Sequence, residues 1–191
     1  YSFDHDFMAD NLPPNLELWL QRMEERINYG RKMGYASSGN GEYPSKGEVV
    51  VDLQTADWNQ GDPYNKFIPQ IGGQNCLVGC TATATSIVME YHRHPIQGQG
   101  TLPAFTTRSN SLYVPERPLG HKYDWNNMLD EYEYGQYNAA QADAAATLCA
   151  DVAIGLQSDF GTNSTGAYAS HIPALLVDYF GYDKGAIHYD R

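Results

Sequence analysis

Residues 79–85 read Gly-Cys-Thr-Ala-Thr-Ala-Thr, and this run of small side chains limits the possible folds more than any other feature of the chain. A helix made of such residues can lie close against neighbouring backbone, because nothing bulky holds it away, so it belongs in a packed interior. The spacing predicts a buried central helix over Cys80–His92, with Ala82, Ala84, Ile87, Val88 and Tyr91 on its inward side and Pro95 stopping it. A third, Ala-rich helix is expected at 138–154, ending at Gly155 as a C-terminal cap, and a fourth from Ser170 carrying Ile172, Leu175, Leu176, Tyr179 and Phe180 up to Gly181. Residues 97–122, rich in Gly and Pro and without a hydrophobic period, read as a long irregular stretch.

Ahead of this block, residues 15–33 form an amphipathic pattern with Asn15 as cap and Leu16, Trp19, Leu20, Met23 and Ile27 at spacings of three and four. Residues 34–47 carry Gly, Ser and Pro44 but no period, which makes them the best linker candidate, with Lys46 open to a protease. A short apolar run at 49–53 reads as a strand entering the turn-rich segment 57–65. With 191 residues, the chain has room for one domain and an appendage.

Composition excludes several classes. A 42% hydrophobic and 13% aromatic content is too high for a disordered tail. Twelve basic against 23 acidic residues leave a formal charge of -11, which repels polyphosphate backbones and argues against nucleic-acid or anionic-membrane binding. The sequence holds no apolar run long enough to span a bilayer, so no transmembrane segment is expected. It starts at Tyr1 without Met, basic n-region or apolar h-region, as a processed chain whose export signal has been removed would. The three cysteines, Cys76, Cys80 and Cys149, are too few for a disulfide framework; one bridge with one free thiol and three free thiols both fit the count.

Chemistry concentrates around Cys80. A cysteine at the first turn of a buried helix faces the positive end of the macrodipole and unpaired amides, surroundings that favour thiolate over thiol and make a nucleophile. Gly79 permits close approach of a substrate carbonyl, and Gln74, six residues upstream, can turn its side-chain amide to the same spot. With the Cys80 backbone N–H it would complete a two-donor oxyanion hole. The competing view of Cys80 is a small buried hydrophobe among Ala and Thr.

The segment 79–85, with Met89-Glu90-Tyr91-His92 and Pro95 after it, resembles the nucleophile region of the streptopain-like cysteine peptidases, a bacterial branch of the papain-like group. Further ordered landmarks match that family: Trp58-Asn59-Gln60-Gly61-Asp62-Pro63-Tyr64-Asn65, Tyr123-Asp124-Trp125-Asn126-Asn127-Met128-Leu129, Ala150-Asp151-Val152-Ala153-Ile154 and Phe180-Gly181-Tyr182. The resemblance implies an α+β, papain-like fold, with this chain supplying mainly the helical half plus a propeptide tail. It implies a secreted or cell-surface bacterial thiol protease made as a zymogen, with Cys80 as nucleophile and Gln74 as oxyanion donor. No cofactor and no metal are implied; the substrates are proteins or peptides with an apolar side chain just N-terminal of the residue whose carbonyl is attacked.

One departure matters. Such an enzyme needs a histidine to deprotonate the cysteine and protonate the leaving amine, and the family places it in a downstream Gly-His context that is missing after Tyr182. Gly120-His121 comes too early, and His92 and His94 lie roughly 18 Å along the same helix at 1.5 Å per residue. His171 opens the fourth helix as an expected surface residue, and His188 is three residues from Arg191. The expectation is therefore a propeptide remnant and linker at 1–46, the nucleophile-bearing part of the peptidase domain at 47–191, and a C-terminal half, with the catalytic His and its Asn and Trp neighbours, lying outside the chain. That half would be a second chain of the same precursor, cut after Arg191, or a lost segment; the first is favoured, and the chain alone would be inactive.

Two other classes remain in view. Cys76, Cys80, His92 and His94 could form a metal site, although their spacing fits a zinc knuckle poorly. The Tyr- and Gly-rich loops at 98–137 would suit a non-enzymatic surface or adhesion module.

Overall fold

In the computed structural model, which describes residues 55–188, the small-residue run is helical, and α1 spans Cys80–His92. The helix at 15–33, the linker at 34–47, the strand at 49–53 and the 1–46 propeptide remnant lie outside the described residues. Arg93, in the left-handed region at φ 47°, ends α1 before Pro95 is reached.

The buried side of α1 is not the one its hydrophobic residues suggest. Ala82, Thr83, Thr85, Ser86, Met89 and Glu90 are buried, whereas Ala84, Val88 and Tyr91 are exposed and Ile87 is half-buried. The reason lies in the hydroxyls: Thr85 Oγ1 donates to the Thr81 carbonyl at 2.8 Å and Ser86 Oγ to the Ala82 carbonyl at 2.9 Å. Once they bond back to their own helix, these side chains present a small, nearly apolar surface that a second helix can approach closely.

That second helix is α2, Ala139–Gly155, and it packs on α1. Asn138 caps it reciprocally, accepting from the Gln141 amide at 3.0 Å while Gln141 Oε1 accepts from the Asn138 amide at 2.9 Å. From Ala142 onward nearly every residue of α2 is buried, including Ala145, Leu148, Cys149, Val152 and Ala153. A helix apolar around its whole circumference is a core element, so α2, rather than α1, is the helix enclosed on all sides among the described residues.

Gly155 is not the cap expected of it. It sits inside the last turn of α2, and a Cβ there would lie 2.3 Å from Leu175 Cδ1, so its role is to admit the neighbouring helix. That helix, α3, spans Ile172–Phe180 after a 3₁₀ turn at Ala169–His171 and ends at Gly181 as expected. Leu175 and Phe180 are its buried anchors.

The strands are short. β1 (Gln70–Ile71) pairs antiparallel with β2 (Gln74–Asn75) across the Gly72-Gly73 turn. Residues 97–122 are more ordered than their composition suggests: β3 (Thr101–Leu102) pairs with β6 (Arg117–Pro118), and within that loop β4 (Phe105–Thr106) pairs with β5 (Tyr113–Val114). Leu102, Val114 and Leu119 from this nested hairpin are fully buried. Its return limb is tied to α2 by Asp151, a fully buried carboxylate that accepts from Arg117 Nε, from Tyr123 OH at 2.6 Å and from His121 Nε2 at 2.8 Å. Three charged or polar donors on one buried carboxylate satisfy the desolvation that would otherwise make Asp151 costly in a helix of alanines.

An aromatic group joins the 58–65 segment to the rest. Trp58, Tyr64 and Tyr132 pack ring on ring at centroid distances of 5.2 to 6.4 Å, with Trp58 Nε1 donating to the Leu129 carbonyl at 2.8 Å and Tyr132 OH to the Gln141 carbonyl at 2.9 Å. Mixed helices and small antiparallel pairs make the chain α+β, and among the described residues no helix is long and apolar enough to cross a membrane.

Candidate active site

Cys80 is the first residue of α1, and residues 76–79 that lead to it are held by three separate segments. The Cys76 amide donates to the Pro69 carbonyl at 3.0 Å, the Leu77 amide to Gly161 at 3.1 Å and the Val78 amide to Gln60 at 3.0 Å. Asn65 Nδ2 adds a bond to the Cys76 carbonyl at 3.0 Å. The strap is therefore fixed before the helix begins, and Gly79 makes the corner at φ 92°, ψ 139°. A side chain is excluded there twice over: the φ is positive, and a Cβ would lie 2.9 Å from Thr165 Cγ2. The Gly79 carbonyl accepts from the Thr83 amide at 2.9 Å as the first bond of α1, and no side chain caps the helix N-terminus.

The three cysteines are all free, and their surroundings separate them. Cys76 and Cys149 are buried, and desolvation raises both thiols, Cys149 to about 12. Cys80 alone is exposed, which removes the view of it as a buried hydrophobe. It shares its face of α1 with Ala84, Val88 and Tyr91, the exposed side chains found at spacings of three and four from one another, so the thiol stands at the head of an uncovered apolar stripe.

Gln74 lies exposed on β2, five residues before Gly79, on the hairpin that feeds the strap. The neighbouring Asn75 side chain is fixed by Gln70 Nε2 at 2.6 Å. The histidines expected to be unsuitable as partners of Cys80 are engaged elsewhere. His121 pairs with Asp151, His171 Nδ1 faces the Leu156 carbonyl at 3.4 Å, His94 packs edge-on against Tyr182 at 4.8 Å, and His92 against Tyr91 at 5.1 Å. His92 and His94 are at the far end of α1 from Cys80, so the four residues of the metal alternative do not converge. Among the described residues no group of three or more His, Cys, Asp or Glu side chains is placed to hold an ion.

A feature the sequence did not reveal adjoins the nucleophile loop. A groove of about 800 Å³ is lined by residues 105–110 on one wall and by 157, 159–164 and 166–168 on the other, with Ile71 and His171 at its edges. Its second wall is bonded to both flanks of Cys80: Gly161 accepts from Leu77, and the Ala167 carbonyl accepts from Thr81 Oγ1 at 3.3 Å. The first wall is shaped by Asp159, which accepts from the Arg108 amide at 2.9 Å, the Ser109 amide at 3.0 Å and Ser109 Oγ. The Ser109 hydroxyl and amide, with the Arg108 amide and charge, hold its carboxyl below the usual range.

The chain matches the Peptidase C10 family over residues 58–191. It is 31% identical to streptopain of Streptococcus pyogenes, an alignment covering 100% of this chain and 52% of streptopain, and 24% identical to the thiol protease/hemagglutinin PrtT of Porphyromonas gingivalis, over 96% of this chain and 23% of PrtT. The chain thus spans about half, or less, of the length of the curated relatives it matches. Among solved structures it is similar to active wild-type interpain A cysteine protease of Prevotella intermedia, at 31% identity and a TM-score of 0.62, covering 73% of this chain and 58% of that one. A prointerpain A fragment matches at 30% identity and a TM-score of 0.66, over 94% of this chain and 58% of that one. A sequence match over most of the chain and a shared α+β, papain-like architecture lead to one assignment: the chain belongs to the Peptidase C10 family of cysteine peptidases.

Proposed function

We propose that this chain is the nucleophile-bearing part of a secreted cysteine endopeptidase, and that Cys80 forms a thioester acyl-enzyme with its substrate. The observation that carries the reading is the contrast among the thiols: Cys80 is exposed at the start of a helix behind a three-point strap, while Cys76 and Cys149 are buried and raised. In the reaction, the Cys80 sulfur, its proton taken by a histidine, adds to the substrate carbonyl. The oxyanion accepts hydrogen bonds from the Gln74 side-chain amide and the Cys80 backbone N–H. Collapse breaks the C–N bond as the imidazolium returns the proton to the leaving amine, and water then releases the acyl group by the same path. The groove bonded to both flanks of Cys80 receives substrate residues beside the scissile bond.

The histidine belongs to the other half of the enzyme. Its docking surface is the uncovered stripe of α1, where Val88 and Tyr91 are 50% and 42% exposed in a helix otherwise packed on α2. That half belongs to the same precursor, and residues 1–46 are the end of a propeptide. The greater reach of the prointerpain match, 94% of this chain against 73% for the active form, supports the second point.

The test is replacement of Cys80 in the full-length enzyme. Cys80→Ala is expected to abolish peptide hydrolysis with an unchanged far-UV spectrum and thermal midpoint, since a small exposed residue at the helix start is tolerated. Residual hydrolysis at more than about one-thousandth of the wild-type rate would contradict the assignment of the nucleophile.

A further inference from the structure

The groove that adjoins the nucleophile loop carries one arginine on its lining. Arg108, on the wall at 105–110, is exposed, and among the described residues its guanidinium forms no salt bridge. It lies over the Tyr168 ring at 5.0 Å from the centroid and donates from Nη1 to the Tyr168 hydroxyl at 2.8 Å. These contacts bridge the two walls, because Tyr168 belongs to the segment that carries Gly161 and Ala167. The hydrogen bond and the ring contact orient the guanidinium and leave its other N–H donors available, so a carboxylate can be met in a fixed geometry at a reduced entropic cost.

The one carboxylate lining the groove is already committed. Asp159 accepts three hydrogen bonds from the Arg108 and Ser109 amides and the Ser109 hydroxyl. It fixes the loop on which Arg108 stands, rather than neutralising the side chain in an ion pair. In a chain of net charge -11, Arg108 offsets the Asp159 carboxylate within the groove, so its lining does not share the excess of negative charge of the whole sequence. The remainder of the lining is divided. Half-buried Ile71 and Phe105 offer apolar surface, while Ser109, Asn163 and Ser164 offer polar groups.

We infer that Arg108, positioned by Tyr168, selects substrates with an acidic side chain at a position near the scissile bond, separate from an apolar side chain received by Ile71 and Phe105. The inference rests on the peptidase reading above and names the substrate class of that site. The pair is a specificity determinant and touches no reacting atom.

The experiment compares matched peptide series, cleaved by the full-length enzyme, in which each position around a fixed apolar residue is in turn Glu, Gln or Lys. The wild type is expected to show kcat/KM about 2- to 5-fold higher for Glu than for Gln at one position, and lower again for Lys, as an ion pair to an exposed arginine would give. Arg108→Glu should invert the order at that position to favour Lys and leave the other positions unchanged. Arg108→Lys should retain part of the preference, and Tyr168→Phe, which keeps the ring and removes the hydroxyl, should weaken it. Folding is controlled by the rate at which a thiol-directed epoxide labels Cys80 in each variant. Equal rates for Glu, Gln and Lys in the wild type, or an Arg108→Glu profile identical to the wild type, would overturn the inference while leaving the peptidase intact. Hydrolysis that survives Cys80→Ala would overturn the peptidase reading, and this inference with it.

Discussion

At the scale of single residues, the same element type, sulfur, has been given two fates by burial alone. Cys149 lies wholly inside α2, beside Ser86, and Cys76 beneath the strap, and desolvation raises both thiols, so neither carries appreciable thiolate at neutral pH. Cys80 is reached by solvent because the chain turns at Gly79 and the helix starts there. The Gln74 assignment depends on a different argument, that one of two oxyanion donors can be removed without destroying the other. Gln74→Ala is expected to lower kcat by about 10²- to 10³-fold with little change in KM. A change confined to KM would place Gln74 outside the oxyanion hole. Arg108 and Asp159 were not legible at this scale in the sequence, since the bonds that define them join residues about fifty positions apart. Asp151 did leave a signal: an acid in the middle of Ala150-Asp151-Val152-Ala153 has to find donors if the helix is buried, and Arg117, His121 and Tyr123 supply them.

At the scale of elements, the limits of α1 followed from small residues after a glycine, but its orientation did not follow from hydrophobicity. Thr83, Thr85, Ser86, Met89 and Glu90 face inward, where α1 packs on the Ala-rich α2, while Val88 and Tyr91 stay exposed. Glu90 records the cost of this arrangement. Burial, followed by the nearby Asp130 charge, raises its carboxyl above the ordinary value of 4.5, with Arg93 opposing in part. In the window between the ordinary and the raised value the folded chain binds more protons than the unfolded chain, so stability falls as pH rises through that window and stays reduced above it. Glu90→Gln is therefore expected to raise the thermal midpoint above the titration of Glu90 and to flatten its fall as pH rises from the ordinary carboxylate value of 4.5. A midpoint that falls by the same amount at every pH would show that Glu90 acts through a hydrogen bond rather than through its charge. Gly155, expected as a cap, shows the converse case, in which a conspicuous residue has a packing role that only the neighbouring Leu175 reveals.

At the scale of the whole molecule, the sequence signals were strongest where a single segment carries the chemistry and weakest where two distant segments meet. The nucleophile loop, its helix and the order of landmarks from Trp58 to Tyr182 lie along one continuous stretch, and the family match at 58–191 covers the same stretch. The groove, the nested hairpin at 97–122 and the enclosure of α2 arise from long-range packing, which no local period encodes. The exposed stripe of Ala84, Val88 and Tyr91 belongs to the same scale, as the surface proposed to receive the histidine-bearing half. The central claim is that Cys80 is the catalytic thiol, and the most direct measurement is peptide mapping of the active full-length enzyme after inactivation by a thiol-directed epoxide. One adduct per nucleophile-bearing chain is expected, on Cys80, formed in step with the loss of hydrolysis, with Cys76 and Cys149 unmodified until the protein is unfolded. An adduct on Cys76 or Cys149 in the native enzyme, or full hydrolysis by enzyme already modified at Cys80, would contradict it.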